Sequence, residues 1–230
     1  MNLKENLSDV LGSIAVAQNA AGLKNAVTIV AVTKTHSPKT IEAVADVGLT
    51  DIGENRLQEA MKKFSLLSSE IKLRKRMIGH LQSNKVSKAL KVFDSLDSVD
   101  SVKLAVKINR RALENNTVFP VLLEVNTSEE PQKNGFHPNQ TEEMLSCIEM
   151  SNLQINGLMT VGPLTKSEAR IRESFKCLRL LLERLNSERS KSIPPLKELS
   201  MGMSNDFTVA VEEGSTMVRL GTVLFGPRER

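Results

Sequence analysis

Lys34 closes an uncharged, β-branched run, and two short segments near the other end of the chain, SMGMS (200–204) and RLGT (219–222), each follow a strand-like stretch. Backbone N–H groups at glycine-rich turns form a cup for anions, while a neutral lysine condenses with a carbonyl. Facing one another, the two features predict a ligand that carries both a phosphate and an aldehyde. Pyridoxal 5'-phosphate (PLP) is such a molecule. Residues 27–33 carry no charge, so partial desolvation is expected to lower the Lys34 amine from about 10.4 toward neutrality and give the neutral form that attacks an aldehyde. The plain alternative is a surface lysine just past a strand end.

Arg219 follows the apolar pair Met217 and Val218, two residues before Gly221. Two readings stay open for it. Pointing inward beside a pyridine nitrogen, an always-charged guanidinium would keep that nitrogen unprotonated and weaken the ring as an electron sink. Otherwise it is an ion pair in a barrel mouth, with Glu212 or Asp206. His80 in IGHLQSNK reads either as a general base or as a hydrogen-bonded orienter. His36 and His137 have no Cys or carboxylate at metal-ligand spacing, so no metal site is expected.

The elements that position these residues follow from hydrophobic period. Leu3, Leu7, Val10, Leu11 and Ile14 recur at helical spacing and predict an amphipathic N-terminal helix. From Thr28 the chain alternates between strand and helix. TIVAVTK is followed by a helix capped by Ser37 and opened by Pro38. DIG (51–53) precedes a helix with Leu57, Ala60, Met61, Phe64 and Leu67 inward, and RMIG (76–79) precedes one carrying Val86, Ala89 and Leu90. Further strands are expected at 92–99, 118–126, 153–161, 196–200 and 216–221, with a long helix after the sixth that Pro194 and Pro195 end. Eight strands alternating with helices predict a (β/α)8 barrel with an extra N-terminal helix. A dinucleotide-type open sheet would need glycines after the first strand, where TKTHSP stands. Strand ends would bring Lys34, Glu54, Asn55, His80, Asn84, Asp97, Asn126, Met159, Ser200 and Arg219 to one mouth, with the two Gly/Ser segments where barrels often bind phosphate.

Composition narrows the function classes. A chain of 230 residues with 40% hydrophobic content can bury a full core, and nothing in it reads as a linker, so one domain is expected. The net charge of +4 and the run Lys72, Arg74, Lys75, Arg76 read as a solvated face; with no Trp and no Tyr for base stacking, nucleic acid is not an expected partner. No signal-like or membrane-spanning run is present, so a cytoplasmic location is expected. Cys147 and Cys177 fall at apolar helix positions and are expected to stay unpaired.

Read in order, AVTKT, GENRLQE, IGHLQSNK, NTSEEPQKNGF, GLMTVG, LSMGMSNDF and GSTMVRLGTVLFG resemble the PLP homeostasis protein family, whose members are similar to the barrel domain of alanine racemase standing alone. The resemblance runs from Val30 to Gly226. It implies that Lys34 carries PLP as a Schiff base, that Ser200, Ser204, Gly221 and Thr222 hold the phosphate, that Arg219 faces the pyridine nitrogen, and that Asn55 and Met203 line the cofactor. It also implies a role in buffering or delivering PLP, with PLP-dependent apo-enzymes as recipients; a monomer is expected. The sequence departs from the family at Arg56, where Tyr is common, and at the Lys75-Arg76-Met77 run.

A racemase needs two acid/base groups on opposite faces of its substrate, typically a lysine and a tyrosine. This chain has no tyrosine. The expected function is therefore a PLP carrier rather than an enzyme, with two alternatives: a racemase-like PLP enzyme using His80 or a water, or a regulatory module that senses another phosphorylated ligand.

Overall fold

The computed structural model describes residues 2–128 and 130–227. Helix α1 (Leu3–Ala21) opens the chain, and Asn2 caps it by accepting from Lys4 N. There follow β1 (Thr28–Val32), α2 (Pro38–Asp46), β2 (Asp51–Glu54), α3 (Leu57–Phe64), β3 (Arg74–Met77), and a 3-10 turn (Ser83–Lys85) leading into α4 (Val86–Ala89). The second half runs β4 (Ser95–Val99), α5 (Val102–Glu114), β5 (Phe119–Glu124), α6 (Thr141–Ile148), β6 (Leu153–Met159), α7 (Glu168–Glu188), β7 (Glu198–Ser200), α8 (Phe207–Glu212), β8 (Met217–Leu220) and α9 (Thr222–Phe225). The eight strands form one closed barrel in sequence order, every pair parallel, with β1 meeting β8 at Val30↔Arg219.

Alternation along the strands divides the buried residues. Ile29, Ala31, Ile52, Val218 and Leu220 pack in an apolar cluster with the helical residues Ile41, Val44, Phe207 and Leu224. Val30, Val32, Leu122, Met159 and Met217 are equally buried but belong to neither helix-side cluster, and they fill the barrel interior with the inward polar residues. Gly157 permits the closest backbone approach in this wall: a Cβ there would lie 1.9 Å from Glu198 O. Helix α1 lies across the barrel's closure, with Leu7, Val10, Ile14 and Ala17 buried and Asn6 Nδ2 donating to Leu224 O at 2.7 Å.

Several local expectations differ from what is observed. Leu11 lies on the solvent side of α1, 51% exposed, because the buried stripe continues to Ala17 instead. On α3, Met61 is exposed and Lys63 is buried in its place. Helix α7 ends at Glu188, where Arg189 turns extended, well before Pro194. Arg76 is no part of a solvated face. It is 3% exposed inside the barrel, its Nε 2.6 Å from Asp51 Oδ1 and its NH1 3.1 Å from Asp97 Oδ2. Asp97, expected at the mouth, is committed to that pair. Cys147 and Cys177 form no disulfide.

Candidate functional site

The C-terminal ends of β7 and β8 meet over a buried arginine. Arg219 is 4% exposed, and its guanidinium donates from NH1 to Ser200 O (2.7 Å) and Ser200 Oγ (2.9 Å) and from NH2 to Thr160 O (2.7 Å). Three of its five N–H groups are thus committed to the ends of β6 and β7, which fixes the plane of the fork. Burial pushes its pKa below the usual arginine range, opposed by Glu124, Asp97 and Asp206. It makes no ion pair with Glu212, which instead meets Arg172 at 2.6 Å; Asp206 Oδ1 accepts from Met203 N at 2.6 Å.

Beyond Ser200 the chain turns back on itself at Gly202, whose φ of +97° and lack of a Cβ are both required, since a Cβ would lie 2.6 Å from Ala210 Cβ. Gly202 O accepts from Arg219 N at 2.9 Å, so the loop rides on β8. Its far end delivers Ser204 to the segment after β8. Ser204 Oγ receives N–H bonds from Gly221 (3.3 Å) and Val223 (3.2 Å). Both are long for N–H···O bonds, so these donors are only loosely held. Ser204, Gly221 and Thr222 are therefore gathered in one place, with Met203 beside them in the chain, while Ser200 is fully buried and bonded to Arg219.

Lys34 is half-buried just past β1, where Thr33 N still pairs with Gly53 O at 3.1 Å. The backbone then turns sharply: His36 N returns to Thr33 O at 3.0 Å, and Thr35, the third residue of the turn, has φ +68°. Buried Lys63 reaches this turn from α3. Its Nζ lies 2.7 Å from Thr33 O, 2.5 Å from Glu54 Oε1 and 2.9 Å from Glu59 Oε1. Glu59 Oε1 also accepts from Thr35 N at 2.5 Å, and Thr33 Oγ1 donates to Glu54 Oε1 at 2.7 Å. Burial pushes the Glu54 carboxyl up, against the pull of Lys63 and Thr33.

The remaining rim is made by β2 to β5. Asn55 follows Glu54, packed so closely under Gly79 that a Cβ there would lie 2.5 Å from Asn55 O, and its Oδ1 is buried without a hydrogen-bond partner among the described residues. Asn55, Met77, His80 and Lys85 line a cavity of about 350 Å³. His80 Nδ1 meets Asp100 Oδ2 at 2.8 Å. Glu124, at the end of β5, is pushed up to about 7 by burial and by Asp100, with Arg219 and His80 pulling the other way. No cluster of His, Cys, Asp and Glu able to hold a metal occurs among the described residues, and none of their helices is long and apolar enough to cross a membrane.

A profile of the family described as alanine racemase, N-terminal domain, matches residues 13–229. The pyridoxal phosphate homeostasis protein of Aquifex aeolicus is 40% identical over 231 residues, covering 100% of both chains. The chain belongs to the alanine racemase N-terminal domain family and, within it, to the pyridoxal phosphate homeostasis proteins. PipY of Synechococcus elongatus, solved with PLP bound, is similar with a TM-score of 0.84 and 32% identity over 98% of this chain and 100% of that one. Alanine racemase of Clostridium difficile, at 17% identity, shares the fold: its TM-score is 0.77 over 100% of this chain and 57% of the enzyme.

As a member of the pyridoxal phosphate homeostasis family, the chain has a mouth richer than its motifs indicate. Lys63 was legible only as an anomaly, a charge three residues after Ala60 on the apolar stripe of α3. Glu124 lay within the most apolar strand, where an isolated carboxylate is itself a signal of burial. Thr160 carries no sequence signal, because it acts through its backbone carbonyl. Helix α9 was missed because it is only four residues long.

Proposed function

We propose that this chain binds PLP at the C-terminal mouth of its barrel and serves PLP homeostasis inside the cell, buffering the cofactor and delivering it to PLP-dependent apo-enzymes. The observation that carries the reading is the full-length likeness to PipY with PLP bound. The residues present fit the cofactor. Gly221 N and Val223 N, held only loosely on Ser204 Oγ, supply donors for a phosphate on either side of Thr222, and the buried Asn55 Oδ1, without a hydrogen-bond partner among the described residues, suits a ligand hydroxyl such as the one on the pyridine ring. When bound, PLP supplies an aldehyde for an amine and an aromatic ring that can accept electrons.

Each residue of the mouth then has a role. Lys34 holds the aldehyde end, and Met203 bounds the ring together with Asn55. Arg219 presents its fixed guanidinium to the pyridine nitrogen and disfavours a proton there, and Ser200 acts by bracing Arg219. An arginine in that position weakens the ring as an electron sink, and no tyrosine is available as a second acid/base group. Both features favour a carrier over a catalyst. The chain acts as one folded unit and as a monomer.

The test is the visible spectrum of purified protein with PLP, before and after borohydride, for the natural sequence and for Lys34→Ala. A band that reduction converts into a mass increment on the Lys34 peptide, lost in Lys34→Ala, supports the reading. No band in the natural sequence refutes it. A second reading, slow amino-acid chemistry at the same mouth, draws on Glu124, whose carboxyl exchanges its proton near neutrality beside Arg219. Prompt solvent deuterium uptake at an amino acid's α-carbon, abolished by Glu124→Gln, would favour it.

A further inference from the structure

The turn that presents Lys34 is held from both sides by one helix. Lys63 Nζ has three N–H donors and three close acceptors, Glu54 Oε1, Glu59 Oε1 and Thr33 O, so the ammonium is satisfied where it is buried. Two of those acceptors bracket Lys34. Thr33 O belongs to the preceding residue, and Glu59 Oε1 takes the N–H of the following one. A buried ammonium is expensive to desolvate, and an apolar side chain at position 63 would pack α3 against β2 with no such cost. Packing alone therefore does not account for it.

The backbone points the same way. Thr35 holds φ +68° although it is β-branched, a conformation that glycine adopts freely and threonine adopts only under constraint. The constraint is visible in the hydrogen bonds. Thr33 O is fixed by His36 N and Lys63 Nζ together, and Thr35 N is fixed by Glu59. Between two pinned peptide units, the Cα–Cβ direction of Lys34 is set by α3.

We propose that Lys63 and Glu59 are positioning residues that lock the 33–35 turn and so aim Lys34 Nζ for covalent capture of PLP, without taking part in the phosphate cup. The proposal rests on the reading of Lys34 as the residue that holds the cofactor. In the capture step Lys34 Nζ, as the neutral amine, adds to the aldehyde carbon; a C=N bond replaces the C=O bond, and the carbonyl oxygen leaves as water with the two hydrogens of the amine, so no oxidant or reductant is needed. Loss of aim by about 1 Å slows such a step by roughly 10- to 100-fold. Affinity for the phosphate end, held by the loops after β7 and β8, is untouched.

The experiment separates binding from capture in the full-length chain. Pyridoxine 5'-phosphate, which has the phosphate and ring but no aldehyde, reports binding by equilibrium dialysis. The borohydride-trapped mass increment on the Lys34 peptide, followed over time after mixing with PLP, reports capture. Glu59→Ala removes the acceptor for Thr35 N, Glu59→Gln retains an amide oxygen there, and the pair Lys63→Met with Glu54→Gln removes the ammonium without leaving a lone charge buried. The expected result is a pyridoxine phosphate affinity within about twofold of the natural chain throughout, with capture slowed about 10- to 100-fold in Glu59→Ala and in the paired variant, and largely restored in Glu59→Gln. Faster hydrogen exchange at the Thr35 amide should accompany each loss. Capture at the natural rate in a variant whose Thr35 amide has become labile overturns the proposal, as does a parallel loss of pyridoxine phosphate binding. If the natural chain captures no PLP at Lys34, the functional reading fails as well, and that outcome is recognised before any variant is compared.

Discussion

Replacing Glu124 by glutamine isolates the electrostatics of the barrel mouth. The carboxyl ordinarily titrates near 4.5 and is pushed up to about 7 by burial and by Asp100, despite Arg219 and His80. Below about pH 4.5 it is protonated in both the folded and the unfolded chain and does not affect their balance. As pH rises, the unfolded chain ionises first while the fold retains the proton, so stability falls until the folded carboxyl also ionises near 7. At about 1.4 kcal/mol per tenfold change in acidity, the natural protein forfeits about 3 kcal/mol between pH 4.5 and pH 7. Glutamine, a neutral isostere, forfeits nothing. Glu124→Gln is therefore expected to exceed the natural protein by only about 1 kcal/mol at pH 5 and by about 3 kcal/mol above pH 7.5, the latter worth about 6–12 °C in Tm for a domain of this size. Thermal melts of both proteins without PLP, from pH 5 to 8.5, give the difference curve. The raised carboxyls of Glu54, Glu198 and Asp206 are common to both proteins and cancel in it. A gap that is constant across this range would refute the assignment of a burial-raised carboxyl to Glu124.

Three further outcomes follow from single contacts. Arg76→Met leaves Asp51 and Asp97 without their shared cation inside the barrel, and is expected to cost about 3–5 kcal/mol at pH 7, read from the urea midpoint. Gly157→Ala places a Cβ 1.9 Å from Glu198 O, so β6 and β7 must part; the expected loss is at least about 3 kcal/mol, read from the same midpoint. Ser204→Ala removes the hydroxyl that gathers Gly221 N and Val223 N, and is expected to weaken PLP about tenfold while leaving pyridoxal, which has no phosphate, unchanged in equilibrium dialysis.

The barrel was legible because its signal is repeated eight times. A run such as TIVAV or VLLEV, apolar on both faces, makes sense only as a parallel strand covered by helices on one side and by the barrel interior on the other. Element ends were less legible, since they depend on contacts the local sequence does not contain. Ser37 and Pro38 do open α2, yet the Ser37 hydroxyl makes no cap bond and lies 3.5 Å from Thr40 Oγ1. Helix α7 stops at Glu188, ahead of the prolines that were expected to end it.

The polar interior escaped for a deeper reason. Arg76 sits in a basic run that reads as solvent-facing, and for Lys72 and Arg74, both exposed, that reading holds. What buries Arg76 is the arrival of Asp51 and Asp97 from neighbouring strands, and closure decides that rather than composition. The same holds at the mouth. The glycine and serine motifs suggested a phosphate cup, because the chemistry of backbone donors is carried by the residues themselves. The brace beneath Lys34 was silent, because it joins three segments, 33–35, Glu54 and 59–63, through a threonine carbonyl and a left-handed peptide. A lysine on an apolar helical stripe is therefore informative in a barrel of this kind. If no carboxylate or carbonyl from the adjacent strand ends could reach it, burial would neutralise or expel it, and its persistence implies that the strand ends supply both.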